Sequence, residues 1–174
     1  IYSYFRKISS TQDPVVTMDG EKIVMLGSNN YLGLTNHPEV KAAATDAVAK
    51  YGTGCAGSRL LNGTLDVHVE LEEKIAEFTN AEAVLSFSTG YHVNVDAESC
   101  LLGRHDVAYL DNLNHASIID GVRLGFGKSF KFKHNDMADL AAKLQRADDK
   151  RSKSIIVDCV FSMEGDLCYL PKIG

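Results

Sequence analysis

Apolar and polar positions along this chain change period from segment to segment, and the changes mark a series of short elements. Val15 to Leu26 reads Val-Val-Thr-Met, then Asp19-Gly20, then Glu-Lys-Ile-Val-Met-Leu. Asp-Gly supplies the positive φ angles of a type I′ turn, so a hairpin is predicted there. Pro38 to Tyr51 carries helix signals, with Asn36 or His37 as cap and Gly52 as stop. A second helix is predicted from Asp66 to Phe78, where Val67, Leu71, Ile75 and Phe78 recur at helical spacing. From there strands and helices take turns. Ala83 to Phe87 reads as a short buried strand, Tyr91 to Leu102 as a helix, Val107 to Leu110 as a strand and Ser117 to Leu124 as a helix. Phe130 to Phe132 reads as a brief strand, Asp136 to Arg146 as a helix and Ser154 to Val160 as a strand. Such alternation with short loops predicts the α/β class, a largely parallel sheet with helices on both faces. The expected organisation is an N-terminal arm and hairpin over residues 1–35, followed by one incomplete α/β domain over residues 36–174, with no internal repeat and no low-complexity linker.

Composition narrows this picture without redirecting it. A chain of 174 residues with 45% hydrophobic content is long enough to bury a core and is not compositionally disordered. The formal charge of −5 offers nothing global to nucleic acid or to an anionic membrane. Lys128 to Lys153 is locally basic, with eight basic and four acidic residues, and a solvated helix face explains it better than a docking surface. Four cysteines, Cys55, Cys100, Cys159 and Cys168, form no CxxC pair, which argues for reduced thiols in a cytoplasmic protein rather than a disulfide frame or a zinc site. No stretch reaches the roughly 18 apolar residues of a membrane span. Ile1 is not an initiator methionine and Gly174 closely follows a strand-and-loop unit, so a piece of a longer protein is expected.

Ligands in open α/β sheets collect at the carboxyl ends of strands, and three segments fall there. Ser88-Thr89-Gly90-Tyr91 opens a helix, so its backbone N–H groups and the helix dipole make an anion site; a plain hydroxyl cap followed by glycine is the local alternative. Asn114-His115-Ala116-Ser117-Ile118-Ile119-Asp120-Gly121 follows the run Val107 to Leu110, and its histidine reads either as ligand chemistry or as a core histidine tied to a carbonyl. Phe161-Ser162-Met163-Glu164-Gly165-Asp166 follows the last strand, where Ser162 reads equally as a turn serine and Phe161, Met163 and Glu164 as packing or loop residues. Gly52 to Arg59 is glycine-rich but lacks the Gly-Lys-Ser or Gly-Lys-Thr ending of a nucleotide P-loop. No GxGxxG follows a strand, which leaves little for a dinucleotide-binding reading.

Taken together from Tyr4 to Leu170, these blocks resemble the α-oxoamine synthases, pyridoxal-phosphate enzymes that join an amino acid to an acyl-CoA. The resemblance implies the fold type I, aspartate-aminotransferase-like large domain, incomplete in this chain. It implies pyridoxal 5′-phosphate as cofactor, contacted by Thr89, Gly90, Tyr91, His115 and Ser162, with the phosphate at Gly90 and Tyr91. His115 would stack on the pyridine ring and act as the catalytic residue, and the Ser162 hydroxyl would contact the phenolic oxygen. Ser28-Asn29-Asn30-Tyr31-Leu32-Gly33 resembles a family block beside the active site at the subunit boundary, which makes Asn30 a candidate for the substrate carboxylate. The Gly57-Ser58-Arg59 and Leu61-Asn62-Gly63-Thr64 pieces look closer to the serine-using branch than to glycine-using relatives. The glycines from Gly52 to Gly63 are expected to permit tight packing at a dimer interface, whereas His68 reads as packing, surface or substrate contact.

The implied partners are an amino acid, serine in the first instance, an acyl-CoA and a second copy of the chain. Neither nucleic acid nor stable membrane insertion is implied, though peripheral contact with a lipid-like substrate is compatible. The resemblance implies that the family's Schiff-base lysine, pyridine-nitrogen aspartate and carboxylate-binding arginine lie beyond this chain; none of its twelve lysines follows Ser162 in a matching context. The segment alone is therefore expected to be inactive. Two alternatives stay open: another pyridoxal-phosphate enzyme of the same fold, such as a glycine acetyltransferase, an 8-amino-7-oxononanoate synthase-like enzyme or an aminotransferase, and a non-catalytic partner subunit that keeps the fold but lacks the lysine.

Overall fold

A computed structural model describes residues 4–146 and 151–173. The chain ends Ile1 and Gly174, and residues 147–150 of the basic segment, lie outside the described residues. Two compact units divide between Glu70 and Leu71.

The first unit contains the expected hairpin, β1 (Val15–Met18) and β2 (Glu21–Val24), paired antiparallel. Asp19 and Gly20 between them have φ of 51° and 87°, as the turn chemistry requires. Helix α1 (Pro38–Tyr51) begins after His37, with proline in its first turn, and ends at Gly52 with φ 83°. Helix α2 (Asp66–Thr79) runs from this unit into the next. It forms where the periodicity predicts, yet none of its residues is buried; Phe78 stays 90% exposed.

The second unit is built on three parallel strands in the order β4-β3-β5. Helix α3 (Gly90–Leu101) leads to β3 (Val107–Asp111), α4 (Ala116–Leu124), β4 (Lys128–Phe132), α5 (Met137–Gln145), β5 (Lys153–Ile156) and the single turn α6 (Leu170–Ile173). All five positions of β3 are buried. Successive side chains of a strand point to opposite faces, so Ala108 and Leu110 pack with Leu102, Ile118 and Val122, while Val107 and Tyr109 pack with Phe132 and Leu140. Helix α4 thus covers one face and α5 the other, the arrangement that alternation predicts. Complete burial of side chains such as Leu110 or Phe132 stabilises by about 1.5–3 kcal/mol each.

Gly121 sets the approach of α3 to α4. A Cβ at this position would stand 2.7 Å from the Asn94 carbonyl oxygen and 3.0 Å from Val95 Cα.

Two predicted strands need correction. Residues Ala83 to Phe87 form no ladder among the described residues. The Ser86 N–H, which a ladder would use, and the Ser86 hydroxyl turn instead to Glu72 Oε1, each at 2.8 Å. The last strand stops at Ile156 rather than Val160. Beyond it the backbone leaves the ladder because the Asn114 side chain takes over, donating to the Ile156 carbonyl at 2.7 Å and accepting the Asp158 N–H at 3.1 Å.

Candidate active site

The carboxyl ends of β3 and β5, which are neighbours in the sheet, frame a cavity of about 470 Å³ with the N-terminus of α3. Gly90, Tyr91, Asn94, His115, Asp158 and Ser162 line it. Gly90, Tyr91, His115 and Ser162 are thereby brought together from three separate stretches of sequence. A volume of this size suits a small organic ligand.

Thr89 caps α3, its Oγ1 accepting the His92 N–H at 3.1 Å, and the Thr89 carbonyl takes the Val93 N–H. Gly90 and Tyr91 are left as the first-turn N–H donors, on the positive end of the helix dipole. A Cβ at Gly90 would meet nothing within 4 Å, so the space over this turn is open to a ligand. The donor set suits an anion such as a phosphate. Thr89 has its hydroxyl committed to the cap and does not line the cavity. The Tyr91 hydroxyl donates to Asp120 Oδ2 at 2.5 Å, and this hydrogen bond holds the phenol above the usual tyrosine range.

His115 is exposed, which removes the core-histidine alternative. It is the N-cap of α4, and its ring is fixed by a short relay. Asn94 Nδ2 donates to Ser117 Oγ at 2.9 Å, and that hydroxyl lies 2.7 Å from His115 Nδ1, which also accepts the Ser117 N–H at 3.2 Å. With Nδ1 acting as acceptor, the neutral ring carries its proton on Nε2, which becomes its available donor. The His115 backbone N–H donates to Asp158 Oδ2 at 2.7 Å. Buried Asn114 in turn ties Asp158 to the end of β5. No sequence motif marks Asn94, Ser117 or Asp158 as a site residue. Asp158 does carry a local signal, since it interrupts the apolar run Ile155-Ile156-Val157.

Ser162 is exposed in the loop after β5, beside buried Phe161 and exposed Met163 and Glu164. Phe161 serves in packing, as its apolar character suggests.

Asn30 belongs to the first unit, where it lines a separate cavity of about 520 Å³ with Gln12, Ser28, Tyr31 and Leu32. Its Oδ1 accepts the Thr35 N–H at 3.2 Å and its Nδ2 donates to the Gln12 carbonyl at 3.4 Å, so the side chain braces its own turn. His68 makes a local contact, its Nδ1 accepting the Leu65 N–H at 3.0 Å at the start of α2. In the glycine-rich stretch, a Cβ on Gly63 would lie 1.9 Å from the Gly57 carbonyl oxygen; these glycines allow the loop to fold on itself. The four cysteines are free thiols. Among the described residues no cluster of three His, Cys, Asp or Glu could hold a metal ion, and no helix is long and apolar enough to cross a membrane.

Free helix N–H groups, an exposed histidine and a loop serine at the carboxyl ends of parallel strands define a candidate ligand site of the α/β type. Residues 21–173 match the family model of the aminotransferase class I and II proteins, and the chain belongs to that family. It is 54% identical to a serine palmitoyltransferase of Sphingobacterium spiritivorum, over 99% of this chain and 43% of that protein. An 8-amino-7-oxononanoate synthase of Geobacter sulfurreducens is 43% identical, over 99% of this chain and 44% of its own length. Among solved structures, the serine palmitoyltransferase of S. paucimobilis with PLP and myriocin bound matches with a TM-score of 0.94 at 34% identity, covering 98% of this chain and 43% of that one. The chain therefore spans less than half the length of these relatives.

Proposed function

We propose that this chain is the N-terminal part of a pyridoxal-phosphate-dependent α-oxoamine synthase that condenses serine with an acyl-CoA, with loss of carbon dioxide, to a 3-ketosphinganine-like aminoketone. The observation that carries the reading is the gathering of the Gly90 and Tyr91 N–H groups, the His115 ring and Ser162 on one cavity. Higher identity to the serine palmitoyltransferase than to the 8-amino-7-oxononanoate synthase favours serine as the amino acid. Pyridoxal phosphate, when bound, supplies the electron sink that stabilises a carbanion at the amino acid Cα.

This chain's residues bind and orient. The Gly90 and Tyr91 N–H groups at the head of α3 hold the phosphate. His115, locked by Ser117 and Asn94, presents a flat ring for stacking and its Nε2–H to a substrate carboxylate or carbonyl oxygen. The Ser162 hydroxyl offers a donor to the cofactor's phenolic oxygen, Thr89 fixes the turn that aims the phosphate donors, and Asn30 contacts the amino-acid carboxylate. Residues 1–35 are assigned to an N-terminal arm and hairpin, and 36–174 to the N-terminal portion of the cofactor-binding domain. The protein works as a cytoplasmic homodimer, a reading supported by the subunit-boundary resemblance of the Asn30 block and the Gly52 to Gly63 stretch. The lysine that carries the cofactor lies outside this segment, which by itself is inactive.

The test is made on the full-length protein. Added pyridoxal phosphate should produce a visible absorbance band that borohydride abolishes, fixing the cofactor to a lysine beyond Ser162. Serine with long-chain acyl-CoA should then outcompete glycine with short-chain acyl-CoA in carbon dioxide release. A protein that stays colourless defeats the cofactor assignment, and a preference for glycine or another amino acid defeats the serine assignment.

A further inference from the structure

Beside the cofactor cavity, Asp111, His134 and Asp166 meet in a cluster that the proposed chemistry does not use. Asp111 ends β3 and its side chain is 1% exposed. His134 follows β4, and Asp166 closes the loop that carries Ser162. His134 Nδ1 lies 3.0 Å from Asp111 Oδ1, and Nε2 lies 2.9 Å from Asp166 Oδ2. The ring also stands edge-on to Phe161, with centroids 4.5 Å apart. One imidazole thus touches both ends of the Ser162 loop. Asn135 reinforces the contact: its N–H donates to Asp111 Oδ2 at 3.0 Å, and its Nδ2 donates to Asp166 Oδ2 and to the Leu167 carbonyl, each at 3.2 Å. The loop base is closed by Phe161 N–H to the Asp166 carbonyl at 3.0 Å and Gly165 N–H to the Phe161 carbonyl at 2.7 Å.

An ionised carboxylate only accepts hydrogen bonds. Asp111 already accepts the Leu113 and Asn135 N–H groups, and Asp166 Oδ2 accepts from Asn135 Nδ2, so the oxygens facing both sides of the ring act as acceptors. Both ring nitrogens of His134 therefore have to donate, and a neutral imidazole has one N–H to give. We infer that His134 is a positioning residue, acting as an imidazolium clamp between Asp111 and Asp166 that holds the Ser162 loop against the cofactor cavity. The assignment of the loop to a cofactor rests on the proposed function; the clamp itself does not. The charged groups facing the ring are Asp111 from β3 and Asp166 from the loop, while Asn135 and Phe161 supply neutral sides. The hydrogen bond to Asp166, followed by that to Asp111, holds the ring's pKa above the usual histidine range despite some opposing desolvation. A raised folded-state pKa means that the clamp is complete below the ordinary histidine pKa and is lost as pH rises through the elevated one.

Two measurements on the full-length protein, with no acyl transfer involved, test this. Nitrogen-15 shifts of the His134 ring should show both nitrogens protonated at pH 6 and titrate above the ordinary histidine range. Hydrogen exchange of the peptide spanning residues 159–168, corrected for the intrinsic pH dependence, should accelerate as that titration proceeds. His134→Gln, which cannot donate to both carboxylates in the same geometry, should speed exchange of that peptide by at least about tenfold at pH 6 and abolish its excess pH dependence, with β3 and α4 unchanged. A ring that is neutral at pH 6, or a loop equally protected in the variant, overturns the clamp. Should His134→Gln lose protection throughout, Asp166→Asn decides, because it spares the buried Asp111 contact: it should speed loop exchange and lower the ring's pKa, and failure to do either overturns the proposal. Loss of the clamp with cofactor uptake intact refutes this inference alone, whereas an intact clamp in a protein that never binds pyridoxal phosphate refutes the functional reading alone.

Discussion

Replacing Gly121 with alanine sets two physical effects of opposite sign against each other. Gly121 lies inside α4, where alanine is preferred over glycine by about 1 kcal/mol. On propensity alone the substitution stabilises. The added methyl, however, would stand 2.7 Å from the Asn94 carbonyl oxygen, 2.9 Å from Glu98 Cβ and 3.0 Å from Val95 Cα. Two of these three are backbone atoms of α3 and cannot rotate away, so the helices must part. Overpacking of this kind costs about 1–3 kcal/mol, which outweighs the propensity gain and leaves a net loss on the order of 1 kcal/mol. Separation of α3 from α4 also stretches the 2.9 Å bond from Asn94 Nδ2 to Ser117 Oγ, and with it the support of the His115 ring. Urea unfolding of the full-length protein should therefore show a lower midpoint for Gly121→Ala. Exposed Ala141 in α5 calibrates the propensity scale, since Ala141→Gly should lower stability by about 1 kcal/mol without touching any packing. If Gly121→Ala rises by as much as Ala141→Gly falls, the close α3–α4 approach is not what the geometry implies.

Three further outcomes follow from the site. Under the proposed function, His115→Ala should keep the fold, because the ring is exposed at a helix cap, but reduce acyl transfer by about 10²-fold or more; near-normal turnover or wholesale unfolding contradicts the proposed role. The Tyr91 phenol, held above the usual tyrosine range by Asp120, should be a late-titrating tyrosine, so the spectrophotometric difference between wild type and Tyr91→Phe should emerge above pH 10, and not at all at neutral pH. If the pocket is shared across a homodimer, co-expression of an inactive Asn30 variant with an inactive variant of the cofactor lysine should restore part of the activity; a fully active monomer in sedimentation contradicts the shared site.

Local chemistry made much of the fold legible. Asp19-Gly20 carries its turn in two residues, and α1 is bounded by Pro38 and Gly52, so neither depends on distant parts of the chain. The run Val107-Ala108-Tyr109-Leu110 is apolar on both faces, and both faces are covered. What failed was non-local. Ala83 to Phe87 has the apolar content of a strand, but a strand is a ladder, and no partner is recorded in that segment's own composition. Ser154 to Val160 reads as one strand until Asn114, over forty positions earlier, takes the Ile156 and Asp158 backbone groups.

The same contrast separates the site residues that were visible from those that were not. Gly90, His115 and Ser162 stand out because each sits in a segment that looks like a strand-to-helix or strand-to-loop exit. Asn94 and Ser117 do not, because an asparagine and a serine have ordinary solvent roles everywhere on a surface, and Asp158 is marked only by its break in an apolar run. Yet in a parallel sheet every strand delivers its exit to the same edge, so polar residues just past the apolar runs have to converge. Asp111 and His115 leave β3, His134 leaves β4 and Asp158 leaves β5. Scanning strand ends jointly would have grouped Asp111 with His134 and His115 with Asp158, the pairs that the hydrogen bonds join. It would not have supplied Asn94 or Ser117, whose contact depends on how closely Gly121 lets α3 approach α4, a distance set by packing rather than by order along the chain.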